Sequence, residues 1–256
     1  KALTSSKSDK DRAQLEKKIL PISYGIDLKT FRPKSKKLCR LNLGLPEDKF
    51  IIITGSFGAN DGRKGIWNLI KALEVVPADN LLLLVFGGGS NHINNQLSNK
   101  KYKVRSLGFI KNPLLLATYY SASNLFVGAS LEEIFGQTFI EAAACGTPSV
   151  CYSVGGVAEA ICDKVTGRLV KEKTPEALGK MIRELYLESG QLEVMSSLAP
   201  IYIANKFSFF SNYHKFMVAL DESNWLDKLG LSPCSNFLGK SKELIQPIYM
   251  AQESGS

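Results

Sequence analysis

The sequence predicts an α/β domain with a doubly wound parallel sheet. Three observations predict it: aliphatic runs of strand length, segments of helical length between them, and glycine-bearing turns where the strands end. Such a sheet opens its ligand crevice at the carboxyl ends of its strands.

Residues 1–19 are polar and basic, with Leu15 and Ile19 pointing to one short helix. Asp9-Lys10-Asp11 spells a pattern that can hold a metal, but no apolar strand precedes it, and a solvated helix is the better reading. Phe50–Thr54 reads as the first strand. It runs into the glycine-rich loop Gly55-Ser56-Phe57-Gly58-Ala59-Asn60-Asp61-Gly62, and Arg63-Lys64-Gly65 then begins a helix expected to reach Val75. Two cations at a helix start oppose the helix dipole, and a bound diphosphate would remove that conflict. Leu81–Phe86 reads as the second strand, ending in Gly87-Gly88-Gly89, and Lys103–Phe109 as the third. Asn112–Ser121 is expected as an amphipathic helix. Then follow strand Asn124–Gly128, helix Gly136–Cys145, strand Pro148–Ser153, helix Val157–Asp163 and strand Gly167–Val170, with helices over Pro175–Glu188 and Gln191–Asn205.

The stretch from Asn124 to Val170 organises the rest. Glu141 is the only charge in its helix, set among Phe139, Ile140, Ala142, Ala143 and Ala144. A carboxylate in such company is costly unless hydrogen bonds are donated to it. No neighbour in sequence offers one, so a ligand is the expected donor. Glu133 stands just before the helix with seven residues between it and Glu141, about two helical turns. Between the two lie the N–H groups of Phe135, Gly136, Gln137 and Thr138. A helix start is a ready anion site, and Gly136 allows a phosphate close to the backbone. A ligand with a ribose diol at one end, a diphosphate in the middle and a sugar at the other satisfies all three features, which describes a nucleotide sugar.

Glu133 to Glu141 is followed by Ala144-Cys145-Gly146-Thr147-Pro148, then Val154-Gly155-Gly156, Glu159 and Thr166-Gly167-Arg168-Leu169-Val170. This order resembles the donor-binding half of family 4 retaining glycosyltransferases, which have the GT-B fold. The resemblance runs from about Leu20 to Leu220. It implies a Rossmann-like C-terminal half over residues 20–205, a return helix over 206–221, and most of an N-terminal acceptor domain missing, with residues 1–19 as its remnant or linker. Residues 40–49 resemble the family's short helix and turn before the first strand, while 222–256 lies outside the resemblance.

The resemblance also implies roles. Lys64 takes the donor phosphates; many members place a second basic ligand six positions earlier, where this chain has Gly58, and that role moves to Arg63. Phe109 and Ile110 sit under the nucleobase, contacting it largely through backbone. Glu133 takes the donor-sugar hydroxyls and Glu141 the ribose diol. No dedicated protein nucleophile is required, so catalysis rests on stabilising charge on the departing diphosphate, by Lys64, Arg63 and the backbone of Phe135 to Thr138. Neither cofactor nor metal is implied, and the acceptor is a glycan, a lipid-linked molecule or a protein.

Composition narrows the alternatives. With 45% apolar and 22% charged residues the chain is globular, and its longest aliphatic run, Leu81–Phe86, falls short of the about 20 residues that cross a bilayer. No secretory signal opens the chain, and Lys1 in place of Met reads as the start of a fragment or trimmed product. A cytoplasmic setting is expected, with a membrane surface as a peripheral contact. The net charge of +8 favours anionic partners, but no aromatic-interleaved basic motif speaks for nucleic acid. Five cysteines without a CxxC pair read as reduced thiols. His92 and His214 have no ligand-spaced partner, no GxSxG or HExxH occurs, and Gly55 to Gly62 does not spell GxGxxG.

Two rivals share much of this pattern. A non-catalytic nucleotide-sugar-binding or interaction domain of the same fold predicts binding without turnover, and a nucleotide-sugar epimerase predicts conversion of the donor alone. Turnover by a longer chain tests the first, and incubation of the donor without acceptor tests the second.

Overall fold

The computed structural model describes residues 25–55, 65–77, 79–88 and 101–210, with 212–213 and 216–217. The chain divides into two compact units, Tyr24–Ser211 and a second formed by Lys1–Ser23 with Asn212–Ser256. Asp9, Asp11, His92, His214 and the segment 222–256 lie outside the described residues.

Strands β1 (Phe50–Gly55), β2 (Leu81–Phe86), β3 (Lys103–Gly108), β4 (Leu125–Gly128), β5 (Ser149–Tyr152) and β6 (Gly167–Val170) form one sheet in the order β3-β2-β1-β4-β5-β6. Every neighbouring pair is parallel. The predicted doubly wound sheet is therefore the observed one. Interior parallel strands are covered on both faces and need unbroken apolar runs. Ile51, Ile52 and Ile53 have no exposed surface, and all six residues of β2 are buried, whereas the edge strand β3 is half-exposed.

Helices α1 (Lys36–Asn42), α2 (Ile66–Ala72, extended by a 3-10 turn over Leu73–Val75), α3 (Pro113–Ala122), α4 (Gln137–Ala144), α5 (Val157–Ala160), α6 (Pro175–Leu187) and α7 (Ser189–Phe207) accompany the strands. Packing groups α2 with α6, and α1, α3, α4 and α7 with one another. Local chemistry sets their ends. Asn112 accepts from the N–H groups of Leu114 and Leu115 over 2.9 and 3.4 Å, with Pro113 opening α3. At the end of α4, Gly146 (φ +78°) donates to the Ala143 carbonyl and Thr147 to that of Ala142, the paired bonds of a Schellman stop.

Most expected elements are met to within two residues at each end, and two differ by more. The helix expected to reach Asp163 ends at Ala160, because Ile161 is extended and Asp163 is drawn into a bridge with Gly167, its carboxylate accepting from Leu169 N–H over 2.9 Å. The helix expected within residues 40–49 starts earlier, at Lys36, because Ser35 caps it by accepting from Leu38 N–H. Among the described residues no helix is long and apolar enough to cross a membrane, and Cys39, Cys145, Cys151 and Cys162 are free thiols.

Candidate functional site

β1 leads on to β2 on one side and β4 to β5 on the other, so the switch point of the sheet lies between them and a crevice opens beyond their carboxyl ends. Glycine keeps its neck open. Gly55, ending β1, faces the Phe86 ring, where an added Cβ would stand 3.0 Å away; Gly128, ending β4, sits against the Phe139 ring. Gly65, capping α2 at φ +65°, lies directly on the Ala129 backbone.

The crevice is a cleft of about 310 Å³, and Phe109, Ile110, Glu133, Gln137, Thr138 and Glu141 line it together. Phe135 does not; its ring packs edge-on against Phe207, with centroids 6.1 Å apart. Gly136 is buried as the left-handed cap of α4, at φ +81°. Gly58, Arg63 and Lys64 lie outside the described residues. A larger, shallower concavity of about 530 Å³ between β6 and α6 shares no residue with the cleft and mixes lysines with glutamates. The cleft is the better candidate, because strand ends and a helix start converge on it.

The opening turn of α4 supplies donors. Phe139 and Ile140 donate to the Gly136 carbonyl over 3.0 and 3.4 Å, so the N–H groups of Gln137 and Thr138 precede the first intrahelical bond. Such groups, with the dipole behind them, suit an anion. Glu133 is held from below: its carbonyl accepts from Gly156 N–H over 3.3 Å, and Gly155 and Gly156 pack on the Glu133 and Ile134 carbonyls with no room for a Cβ.

Glu141 corrects an expectation. It has protein partners: the Tyr120 hydroxyl donates to its Oε2 over 3.2 Å, and the Gln137 side chain bonds to it as well. Sequence proximity could not show Tyr120, which arrives from α3. Burial pushes the Glu141 carboxyl up from its ordinary 4.5 to about 7, against the pull of the Tyr120 and Gln137 hydrogen bonds. Tyr120 itself is fully buried, and burial beside Glu141 holds its hydroxyl well above the usual range. Sequence reasoning also missed Leu116, Ala129 and Ser130 on the cleft wall; the last two follow β4 directly, which was their available signal. Among the described residues no three His, Cys, Asp or Glu side chains converge as a cation site.

Sheet order and cleft define a Rossmann-like domain of the GT-B class, and known proteins of that class resemble it. A solved sucrose-phosphate synthase from Thermosynechococcus elongatus superposes with a TM-score of 0.69 at 28% identity, covering 87% of this chain and 57% of that one. HepE from Anabaena, solved with UDP and glucose, gives 0.67 at 21% identity over 78% of this chain and 56% of its own, a likeness of fold. Residues 38–200 match the family described as glycosyl transferases group 1. A D-inositol 3-phosphate glycosyltransferase from Segniliparus rotundus is 32% identical over 75% of this chain and 44% of its own length, and one from Thermobifida fusca 31% identical over 76% and 48%. The chain belongs to the group 1 glycosyl transferase family, and it spans less than half the length of these curated relatives.

Proposed function

We propose that the chain is the donor-binding half of a retaining, metal-independent glycosyltransferase of family 4, moving a sugar from a nucleotide sugar to a glycan, lipid-linked or protein acceptor. The observation that carries the reading is the cleft at the switch point, lined by both Glu133 and Glu141 with the first turn of α4 between them. Glu141 receives the ribose diol, the Gln137 and Thr138 N–H groups receive the diphosphate, and Glu133 receives the sugar hydroxyls. Phe109 and Ile110 border the nucleobase. Lys64 and Arg63, in the segment after β1 that also contains Gly58, add the positive charge that stabilises the departing diphosphate. Family membership supports the reaction class, and the names of the curated relatives make D-inositol 3-phosphate one acceptor to include. The enzyme works in the cytoplasm, within reach of the membrane surface.

Calorimetry of the chain against UDP, GDP and ADP tests the reading. One of the three binds, while sugar transfer by this chain alone stays slow, since positioning of the acceptor can contribute many kcal/mol and falls to further sequence. Absence of binding by all three would remove the basis of the proposal; rapid transfer would show the acceptor site to be misplaced.

A further inference from the structure

We infer that Tyr120 is a positioning residue for the nucleotide: from beneath the cleft its hydroxyl holds the Glu141 carboxylate that receives the ribose diol. The inference rests on the donor-site reading above and adds a residue that lies outside the cleft wall.

The hydrogen bond from Tyr120 to Glu141 is built into a rigid block. Phe86 and Phe126 each meet the Tyr120 ring edge-on with centroids 5.9 Å away, and Phe126 meets Phe139 at 4.9 Å. Phe139 shares α4 with Glu141, so one aromatic chain fixes the donor and the helix of the acceptor. The Tyr120 carbonyl accepts from Thr147 Oγ1 over 2.6 Å, tying the end of α3 to the loop after α4. A fully buried hydroxyl needs an acceptor inside the protein, and Glu141 provides it. The carboxylate is thus gripped on its protein side and lines the cleft on the other.

A carboxylate offers about four lone-pair sites. Tyr120 and Gln137 engage part of this capacity, and the remainder is open to the two hydroxyls of a diol. Hydrogen bonds from the diol are strongest when the carboxylate is ionised and already oriented. The Tyr120 hydroxyl favours the ionised form that burial disfavours. Among the described residues, Cys145 on α4 also interacts with Glu141, and Glu133 lines the same cleft. Binding to the protonated site passes the Glu141 proton to solvent, leaving the carboxylate to accept both diol hydrogens; no covalent bond changes.

The test titrates UDP, GDP and ADP into the whole chain from about pH 6 to about pH 9, for the wild type, Tyr120→Phe, Glu141→Gln and the double variant. Tyr120→Phe keeps the ring packing and removes the hydroxyl. It is expected to lose about tenfold in affinity and to move the pH midpoint of binding upward. In the Glu141→Gln background the same change should alter affinity less than about twofold. Replacement of Tyr120 by 3-fluorotyrosine, a stronger donor, should move the midpoint downward and keeps the question open to measurement should the Phe variant not fold. Wild-type affinity and midpoint in Tyr120→Phe, with binding still weakened in Glu141→Gln, would overturn this inference alone. An equal loss in both backgrounds would also overturn it, as a purely structural effect. A wild-type chain that binds none of the three overturns the donor-site reading and this inference with it.

Discussion

Gly156 donates its N–H to the Glu133 carbonyl over 3.3 Å; Gly155, at φ +49°, presses on that same carbonyl and Gly156 on the Ile134 carbonyl, so closely that neither glycine can carry a Cβ. Two bare backbone units thereby form the floor on which the Glu133 loop rests. The Val154-Gly155-Gly156 motif acts on the site through this contact, without lining the cleft itself.

Gly155→Ala should therefore destabilise the fold by about 2–4 kcal/mol, from the left-handed backbone and the collision with the Glu133 carbonyl. Affinity for the intact nucleotide-sugar donor should fall more than affinity for its nucleoside diphosphate, since the proposal places Glu133 at the sugar end. Gly190→Ala, where an added Cβ meets nothing within 4 Å, is the control and should be neutral or stabilising by about 0.5 kcal/mol. Thermal melts and paired titrations read both. Equal stability for the two variants would show the contact to be slack.

Glu141→Ala should weaken nucleoside diphosphate binding by about 2–4 kcal/mol, roughly 30- to 1000-fold. Glu133→Ala should leave that affinity nearly intact and act on the intact donor and its turnover. Sequence alone suggests that the ligand-free Glu141→Ala protein loses no stability, but the Tyr120 contact changes this: truncation strands a buried hydroxyl, a cost of about 1–3 kcal/mol set against relief of a buried carboxylate. Glu141→Gln keeps an oxygen for Tyr120 and should be the more stable of the two. Unchanged affinity in Glu141→Ala, with a lowered melting temperature, would make this carboxylate structural.

Stability of the ligand-free protein should carry the signature of Glu141. Its folded carboxyl is raised from 4.5 to about 7 by burial, so between these values the folded state holds a proton that the unfolded state has released. The contribution of this group is fully present below about pH 4.5 and is lost as pH rises through about 7, by on the order of 3 kcal/mol. Denaturation of the wild type and Glu141→Gln across this window should differ in slope, the wild type falling more steeply with pH. Parallel curves would place the Glu141 titration elsewhere.

Nucleoside diphosphate binding and any transfer should survive excess chelator. The first turn of α4, with Lys64 and Arg63, suffices in the proposal to neutralise the diphosphate. Titration before and after chelator treatment, then with added magnesium or manganese, checks it. Binding that appears only with the divalent ion would overturn metal independence and require a protein ligand set for the cation.

The architecture and much of the cleft follow from local residue patterns. Strands β2 and β6 run where their aliphatic composition and flanking glycines predict, and α4 lies between its caps Gly136 and Cys145, with Gly136 and Gly146 left-handed, because glycine turns and unpaired helix ends are local chemistry. The spacing of Glu133 and Glu141 around a helix start is equally local, so both could be placed on the strand-end rim from sequence alone. Tertiary structure decided what each of them touches. Tyr120 stands 21 positions before Glu141 and reaches it only because β4, following α3, pairs beside β1 and draws both helices together. It likewise turned Phe135 toward Phe207 and set Gly155 and Gly156 under Glu133. Hydrogen bonds and steric contacts act over a few ångströms in space, and sequence spacing reports that distance only within one helix or turn; between elements, the packing of the sheet sets it.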